Sequence, residues 1–371
     1  MAPKDVLLVG FGAVGAVYSL IFKKSGLARV TAVARSNYHL VNEHGMHFKS
    51  RKYGDIPGWR PDRLCSSVAS AADQRYDYVV LTTKAVPELI KTPEILEPLL
   101  SAPYSDKYPQ PIYVLIQNGL GVEVDLYNAI KSLGKGPPQI ISTSVFIATN
   151  LLAPNVVQHG AFDRPTLGMY RYRDFTTIVN TPEEDSILRD IGGMLEKGGS
   201  TVTLVSEIQR LRFAKNFWNV AFSSLATLTG YTPTAIFRPL PSDPAVPYET
   251  YVYPKTAHLI NESTIPNVKA VLTELMNLGR AMGFPDTEDG LPSSLVEGTV
   301  ERTRVLHIEP DHSHKPSMML DAEKSLPIEV EVILGEVVRL AKEYKVDIPR
   351  IEMMYSLLLV VQNQILRKLG K

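Results

Sequence analysis

The stretch that most constrains this chain is Val6–Gly15, V-L-L-V-G-F-G-A-V-G. Four apolar residues, Val6 to Val9, run straight into Gly10, Gly12 and Gly15, and the apolar residues from Ala13 to Phe22 have helical spacing. An unbroken apolar run suits a parallel strand buried on both faces, so the glycines fall on a strand-to-helix turn. Each glycine then has a separate job. Gly10 permits the tight turn, Gly12 lets backbone N–H groups approach a pyrophosphate, and Gly15 lets helix and strand pack closely. A bare G-x-G-x-x-G is weak evidence. In strand–turn–helix context it reads as a dinucleotide-binding loop rather than a glycine-rich turn of some other α/β protein. Phe11, Ala13 and Val14, which fill the loop, join the glycines as cofactor-binding candidates.

A chain of 371 residues is too long for one ordinary core, and two domains are expected, dividing at 206/207. Hydrophobic residues at 44% and charged residues at 21% describe a soluble globular protein. Lys plus Arg equals Asp plus Glu at 39 each, so the net charge points to neither nucleic acid nor a membrane surface. The single cysteine, Cys65, forms no internal disulfide, fits a reducing compartment and reads as a small buried apolar residue. With no secretory leader and no apolar run of about 18 residues, a cytoplasmic enzyme without a membrane span is expected.

After the first helix, Arg29–Ala34 reads as the second strand, ending at Arg35-Ser36. NAD sites tend to place a carboxylate here to hold the ribose 2′-hydroxyl, whereas an arginine suits a 2′-phosphate. Arg35 can meet that phosphate with a bidentate contact, and Ser36 can add a hydroxyl donor. No Asp or Glu stands at the strand end, so NADP(H) is favoured over NAD(H). The alternative is that Arg35 is a solvated surface charge. Lys84 follows the strand Tyr76–Thr83, on the sheet edge where doubly wound folds bind ligands. A phosphate or ribose contact and a solvated loop charge are both open there. A helix is expected over Pro87–Leu100 and a strand over Ile112–Ile116, which ends in Gln117-Asn118-Gly119-Leu120-Gly121. Asn118 can hold a nicotinamide ribose and a substrate, with glycines that let backbone approach a ligand. Further strands are expected at Gln139–Ala148, Val156–His159, Thr166–Met169 and Thr201–Val205. His159 reads as a local hydrogen-bonding residue. Thr181 and Glu184 form a capping-box pattern at the start of a helix over Pro182–Lys197.

From Glu207 onward the sequence reads as helices separated by Pro-rich loops. One long helix is expected over Arg210–Leu228, with Lys215, Asn219 and Ser223 four apart on one stripe. Phe213, Phe217, Val220 and Leu225 mark its buried faces. The pattern alone leaves an ordinary polar face equally open.

With these pieces in order, the sequence resembles the ketopantoate reductase (2-dehydropantoate 2-reductase) family. That family opens with G-x-G-A-V-G, carries a lysine after the fourth strand and a Q-N-G-x-G turn, and begins its helical domain with a K-x-x-x-N-x-x-x-N helix. It then has S-M-x-x-D, a glutamate twelve residues after that serine, and N-G-x-[VL]. The matching positions here are Gly10–Gly15, Lys84, Gln117–Gly121, Lys215 with Asn219, Ser317-Met318 with Asp321, Glu329, and Gly335. The resemblance implies an N-terminal Rossmann-type, doubly wound α/β domain followed by an all-helical domain. It also implies an active site in the cleft between them, whose closure would exclude water, and a place in pantothenate biosynthesis. It implies Lys215 as proton donor, Asn219 as a substrate-binding residue and Ser317 as a substrate-carboxylate contact. Glu329 would be a catalytic residue near both nicotinamide and substrate. The residue types suit the chemistry. Hydride transfer from NADPH to a keto acid's carbonyl leaves an alkoxide that needs a proton and a positive charge nearby.

Two departures bear on the substrate. Ser223 stands where the family commonly has a second asparagine, which would widen the substrate pocket and remove a donor. Arg238–Asn267, rich in Pro and Tyr, reads as an inserted loop of the lid or binding-loop kind. A paralogue acting on another keto acid, keto ester or imine is therefore a second expectation, and a dinucleotide-binding sensor without turnover a third. His307, His312 and His314 invite a metal reading. Their spacing offers no carboxylate partner in an obvious register and Pro310 breaks any helix between them, so no metal is expected. The apolar run Leu357–Val361 of the last helix suits core or the face of a homodimer rather than a membrane element.

Overall fold

The computed structural model describes residues 2–240, 251–309, 312 and 314–370. The apolar runs of the first half become ten strands. They are β1 (Lys4–Val9), β2 (Ala28–Val33), β3 (Met46–Ser50), β4 (Gly54–Trp59), β5 (Arg63–Cys65), β6 (Tyr78–Leu81), β7 (Ile112–Leu115), β8 (Ile140–Ala153), β9 (Val156–Met169) and β10 (Thr203–Leu204). They form one sheet in the order β4-β3-β9-β8-β7-β6-β1-β2-β5, with β10 beside β9. The segment from β5 through β2, β1, β6 and β7 to β8 is parallel throughout, and the β8–β9 and β3–β4 pairs are antiparallel.

The chain's path reverses around β1. Val9, at its C-terminal end, lies opposite Val33 of β2 on one side and Leu81 of β6 on the other. That reversal is the topological switch point at which open α/β sheets bind ligands. Val6, Leu8, Val30, Val80 and Val114 are buried in the core against Val17, Leu20 and Ile21 of helix α1 (Ala13–Lys24). The helix α2 (Pro182–Gly198) joins that core through Leu188, Ile191 and Leu195. It starts with the expected capping box, Thr181 Oγ1 accepting from the Glu184 N–H and Glu184 Oε2 accepting from the Thr181 N–H. Cys65 is buried.

Two expectations in this half are corrected. The strands expected at Val156–His159 and Thr166–Met169 are a single strand, because Asp163, Arg164 and Pro165 keep pairing with Ile147, Phe146 and Val145 of β8. The helix expected over Pro87–Leu100 forms only as short turns at Thr92–Ile95 and Glu97–Leu100. Each has a proline within its first two positions, where the missing N–H does no harm, but a proline cannot continue a preceding helix.

The chain divides into two compact units, Met1–Leu211 and Arg212–Lys371. The described residues of the second unit hold helices and no strand. The helical run that leads into it begins as α3 (Gln209–Trp218), passes through a π-helical turn over Asn219–Ser223 and resumes as α4 (Ser224–Thr229). Then come α5 (Ile265–Ala281), α6 (Leu295–His307), α7 (Ser317–Glu323), α8 (Glu336–Tyr344), itself preceded by a π-turn over Glu331–Gly335, and α9 (Pro349–Lys368).

The segment read as an inserted loop is only partly one. Residues 241–250 lie outside the described residues, whereas Pro254–Thr264 forms short helical turns that run on into α5. Of the apolar run Leu357–Val361, only Leu358 is core, and Leu357 and Val360 are exposed. Among the described residues no helix is long and apolar enough to cross a membrane.

Candidate active site

The first unit builds its site mainly from backbone. Gly10 has φ +104°, and a Cβ there would come within 2.8 Å of the Thr83 nitrogen at the end of β6. A Cβ on Gly15 would lie 1.9 Å from the Gly10 carbonyl oxygen, so only glycine allows α1 this close to the turn. Gly12 is different. A Cβ there would meet nothing within 4 Å, which leaves its backbone open to an approaching group. Gly12 is also the N-cap of α1, with no capping side chain and no acidic residue in the first turn. An uncapped helix start with open backbone fits a pyrophosphate, which would supply the missing acceptors and meet the positive end of the helix dipole.

Side chains hold this loop in place. The Thr82 hydroxyl donates to the Gly10 carbonyl (2.5 Å), and the Asn37 amide donates to the carbonyls of Phe11 (2.8 Å) and Pro154 (2.9 Å). Ala13 and Val14 are the first two residues of α1, and Phe11 is buried against Trp59. Arg35 and Ser36 are exposed just beyond the C-terminal end of β2. Lys84 is exposed beyond the end of β6, and Asn118 is half-buried beyond the end of β7, with Gly119 and Gly121 at positive φ. The Gln117 amide donates to the Thr83 carbonyl (3.0 Å), tying the β7 turn to the β6 turn. The predicted cofactor residues of this unit thus stand beyond the C-terminal ends of β1, β2, β6 and β7. His159 is buried, with Nδ1 2.9 Å from the Ser50 hydroxyl and Nε2 3.2 Å from the Phe162 carbonyl, the local role expected of it.

The second unit builds its site from side chains. Lys215 is half-buried on α3, with Asn219 one turn further on and also half-buried. Burial, and then the charge of buried Arg212, bring the Lys215 ammonium down to about 8, and the Glu329 carboxylate opposes that fall. Glu329 is itself buried, just ahead of the helical run that begins at Val330. Ser317 is exposed at the first residue of α7, and Asp321 is buried one turn on.

The expected straight stripe Lys215–Asn219–Ser223 does not carry through. The π-turn begins at Asn219, and the wider turn shifts the helix phase so that Ser223 is buried at 1% exposure. Its carbonyl accepts from the Thr227 hydroxyl (2.8 Å). A π-turn of this kind is common at functional sites.

Family models match both halves of the chain in order. One described as ketopantoate reductase PanE/ApbA covers residues 6–172, and one described as ketopantoate reductase PanE/ApbA C terminal covers residues 250–362. The chain belongs to the ketopantoate reductase family. It is an NAD(P)-dependent oxidoreductase of that family. A 2-dehydropantoate 2-reductase from Nostoc is 23% identical over 96% of this chain and 94% of its own length. An uncharacterized Saccharomyces cerevisiae protein is 26% identical over 98% and 95%. The crystal structure of 2-dehydropantoate 2-reductase from Methylococcus capsulatus superposes with a TM-score of 0.74 at 26% identity, covering 97% of each chain. A ternary structure of D-mandelate dehydrogenase with NADH and anilino(oxo)acetate shares the fold, with a TM-score of 0.71 at 17% identity over 97% of this chain and 99% of that one.

Within this ketopantoate reductase family member, three supporting residues lie outside the motifs. Asn37 holds the glycine loop. Asn216 is buried beside Lys215, and its amide donates to the Ile333 carbonyl in the second π-turn (2.9 Å). Gln362 is buried on α9, where its amide accepts from the Ile328 N–H (2.9 Å) and donates to the Ile328 carbonyl (3.0 Å), fixing the backbone next to Glu329. A signal was present for two of them. Asn216 lies between Phe213 and Phe217, and Gln362 follows Val361 in an apolar helix, each a polar residue where burial demands a partner.

Proposed function

We propose that the protein reduces a 2-oxo acid to a 2-hydroxy acid with NADPH, and that 2-dehydropantoate is the first substrate to test. The observation that carries this reading is Lys215, an ammonium brought down to about 8 by burial and Arg212, with Glu329 opposing the shift. A general acid works best when its pKa lies near the working pH. Lys215 then holds its proton at neutral pH and gives it up readily to an alkoxide oxygen.

A bound nicotinamide supplies the hydride that converts the carbonyl carbon to an alcohol carbon. The chain's own residues do the rest. The Lys215 Nζ donates the proton to the former carbonyl oxygen and, while charged, stabilises the negative charge growing there. Asn219 and Ser317 orient the carbonyl and carboxylate, and Glu329 keeps the ammonium protonated between turnovers. The Gly12 N–H and the start of α1 hold the pyrophosphate, Arg35 and Ser36 the 2′-phosphate, and Lys84 and Asn118 the ribose end.

Loss of NADPH absorbance is the test, with ketopantoate beside bulkier 2-keto acids and keto esters. Turnover of ketopantoate at low concentration supports the reading; no oxidation of tightly bound NADPH by any of them overturns it in favour of a sensor. With Ser223 buried and off the stripe, the family's second asparagine has no amide counterpart beside Lys215 and Asn219, which favours one second reading, a reductase of a bulkier keto acid. Good turnover of a bulkier compound with poor turnover of ketopantoate identifies it. Arg35→Asp should move preference from NADPH toward NADH by roughly tenfold or more, since about 1.4 kcal/mol of lost charge-assisted contact is already a factor of ten. Unchanged preference would sink the phosphate assignment. A homodimer is part of the same proposal, since Met353, Leu357 and Val360 expose one apolar stripe of α9, and sedimentation velocity would decide it.

A further inference from the structure

The fold brings together three histidines that sequence spacing kept apart. His307 is the last residue of α6 and is 0% exposed. His312 and His314 come from the connection that leads to Ser317. One ring nitrogen of each of the three lies within 4.8 Å of the other two. The ligands of one ion need not share a helix. Here one is presented by a helix end and two by the chain that leaves it, so Pro310 is no obstacle.

We propose that His307, His312 and His314 form a binding site for a divalent cation that prefers nitrogen ligands, Zn²⁺ foremost.

The tautomer of His307 is the first support. Its Nδ1 lies 2.8 Å from the Thr303 carbonyl, which can only accept, so Nδ1 carries the proton and Nε2 presents its lone pair. That Nε2 is buried and has no hydrogen-bond partner. A buried acceptor left unsatisfied is costly and calls for an explanation. A backbone carbonyl on one ring nitrogen and a free lone pair on the other is the arrangement by which metal-binding histidines are oriented.

The donor set then selects the ion. Three imidazoles, with no carboxylate in the group among the described residues, suit Zn²⁺, Co²⁺, Ni²⁺ or Cu²⁺ and not Mg²⁺ or Ca²⁺, which want oxygen. Bonds of about 2.0–2.1 Å to a tetrahedral ion would bring the nitrogens to about 3.4 Å apart, so the rings must close by up to about 1.4 Å. His314 is exposed and His312 half-buried, so both have room to turn toward the fixed His307. Three protein ligands leave a fourth position for water. Arg238 donates to the carbonyls of Glu309 (2.7 Å) and His312 (3.2 Å), which anchors the connection but places a positive charge nearby. That charge works against any bound cation, and nitrogen coordination must outweigh it. The site also borders the catalytic helix, since the His314 ring lies 5.8 Å from the ring of Trp218, the neighbour of Asn219. Occupation would tie the chain ahead of Ser317 to the end of α6.

The test uses the full, untagged chain stripped with a chelator and titrated with Co²⁺ alone. The expected result is saturable growth of the intense visible bands of four-coordinate cobalt, at one cobalt per chain, erased by Zn²⁺. Zn²⁺ should also raise the melting temperature of the wild-type chain. His314→Gln and His312→Gln, both outside the core, should weaken Co²⁺ binding by roughly tenfold or more while leaving circular dichroism unchanged. His44→Gln with His47→Gln should leave it unaltered. No cobalt bands in the wild type, or bands undiminished in the His312→Gln/His314→Gln double variant, would overturn the proposal. NADPH oxidation is not part of the readout, so failure here and failure of the reductase reading are separate results.

Discussion

The two units make their sites by opposite means. In the first, the useful feature is the side chain that is missing. Gly10 and Gly15 remove Cβ atoms that would collide with Thr83 and with the Gly10 carbonyl, and Gly12 leaves its backbone bare. In the second, the useful feature is a charged side chain held where water is scarce, Lys215 beside Arg212 and Glu329. A backbone site tolerates no added atoms but has little chemistry to tune. A side-chain site has a pKa, and every neighbour adjusts it. The first kind suits a cofactor common to many reactions, and the second suits the step that differs among them.

Mutations can break this contrast, the largest effect first. Gly15→Val should abolish NADPH binding and destabilise the first unit by more than the ~1–3 kcal/mol of ordinary overpacking. Gly12→Ala has open space around its new methyl and should leave the melting temperature almost unchanged while weakening NADPH in calorimetry. Equal behaviour of the two variants would mean that the loop is a packing device only. Lys215→Ala should lower the reduction rate by about 10²–10⁴-fold with NADPH affinity nearly intact, as stopped-flow single turnovers would report. A parallel loss of NADPH binding would instead make Lys215 a cofactor residue.

The pH dependence sharpens the second half of the contrast. If Lys215 is the proton donor proposed above, it must be protonated to act, so the rate of reduction should fall as pH rises through about 8. Glu329→Gln removes the charge that favours the ammonium and should move that limb to lower pH. Arg212→Met removes the charge that opposes it and should move the limb to higher pH. If neither variant shifts the limb, the group titrating there is not Lys215. The smallest effect belongs to a residue outside both candidate sites. Thr181→Ala loses the capping box of α2 and should cost about 1 kcal/mol in urea melts with kinetics unchanged.

The parts of the molecule that were legible from sequence are those whose causes are local. The glycine turn, the capping box at Thr181 and Glu184 and the succession of parallel strands each follow from residues a few positions apart. The expected helix over Pro87–Leu100 gives way to short turns at Thr92 and Glu97 because Pro93 and Pro98 can begin a helical turn but cannot continue one. The single strand β9 was missed for another reason. The pairing of Asp163, Arg164 and Pro165 depends on β8, a partner that no local pattern announces.

The second unit was less legible. Lys215 and Asn219 could be named from their motif, but the π-turn that buries Ser223 lies within an unremarkable run of helix-forming residues. The neighbouring Asn216 amide bonds the Ile333 carbonyl in the second π-turn, a contact 117 residues away in sequence. Gln362 likewise reaches Ile328 across 34 residues, whereas His307, His312 and His314 are close in sequence but come together only in the folded chain.

By itself, then, the sequence determined where the backbone must turn without a Cβ and which segments must be buried, and it offered candidate side chains for the chemistry. Those follow from steric exclusion, apolar surface and hydrogen bonding within a few residues. Only the tertiary structure decided which groups pack beside Lys215, that burial lowers its ammonium, and where the helix phase slips. Each of these depends on desolvation and on partners contributed by distant parts of the chain, and neither quantity exists until the chain has packed.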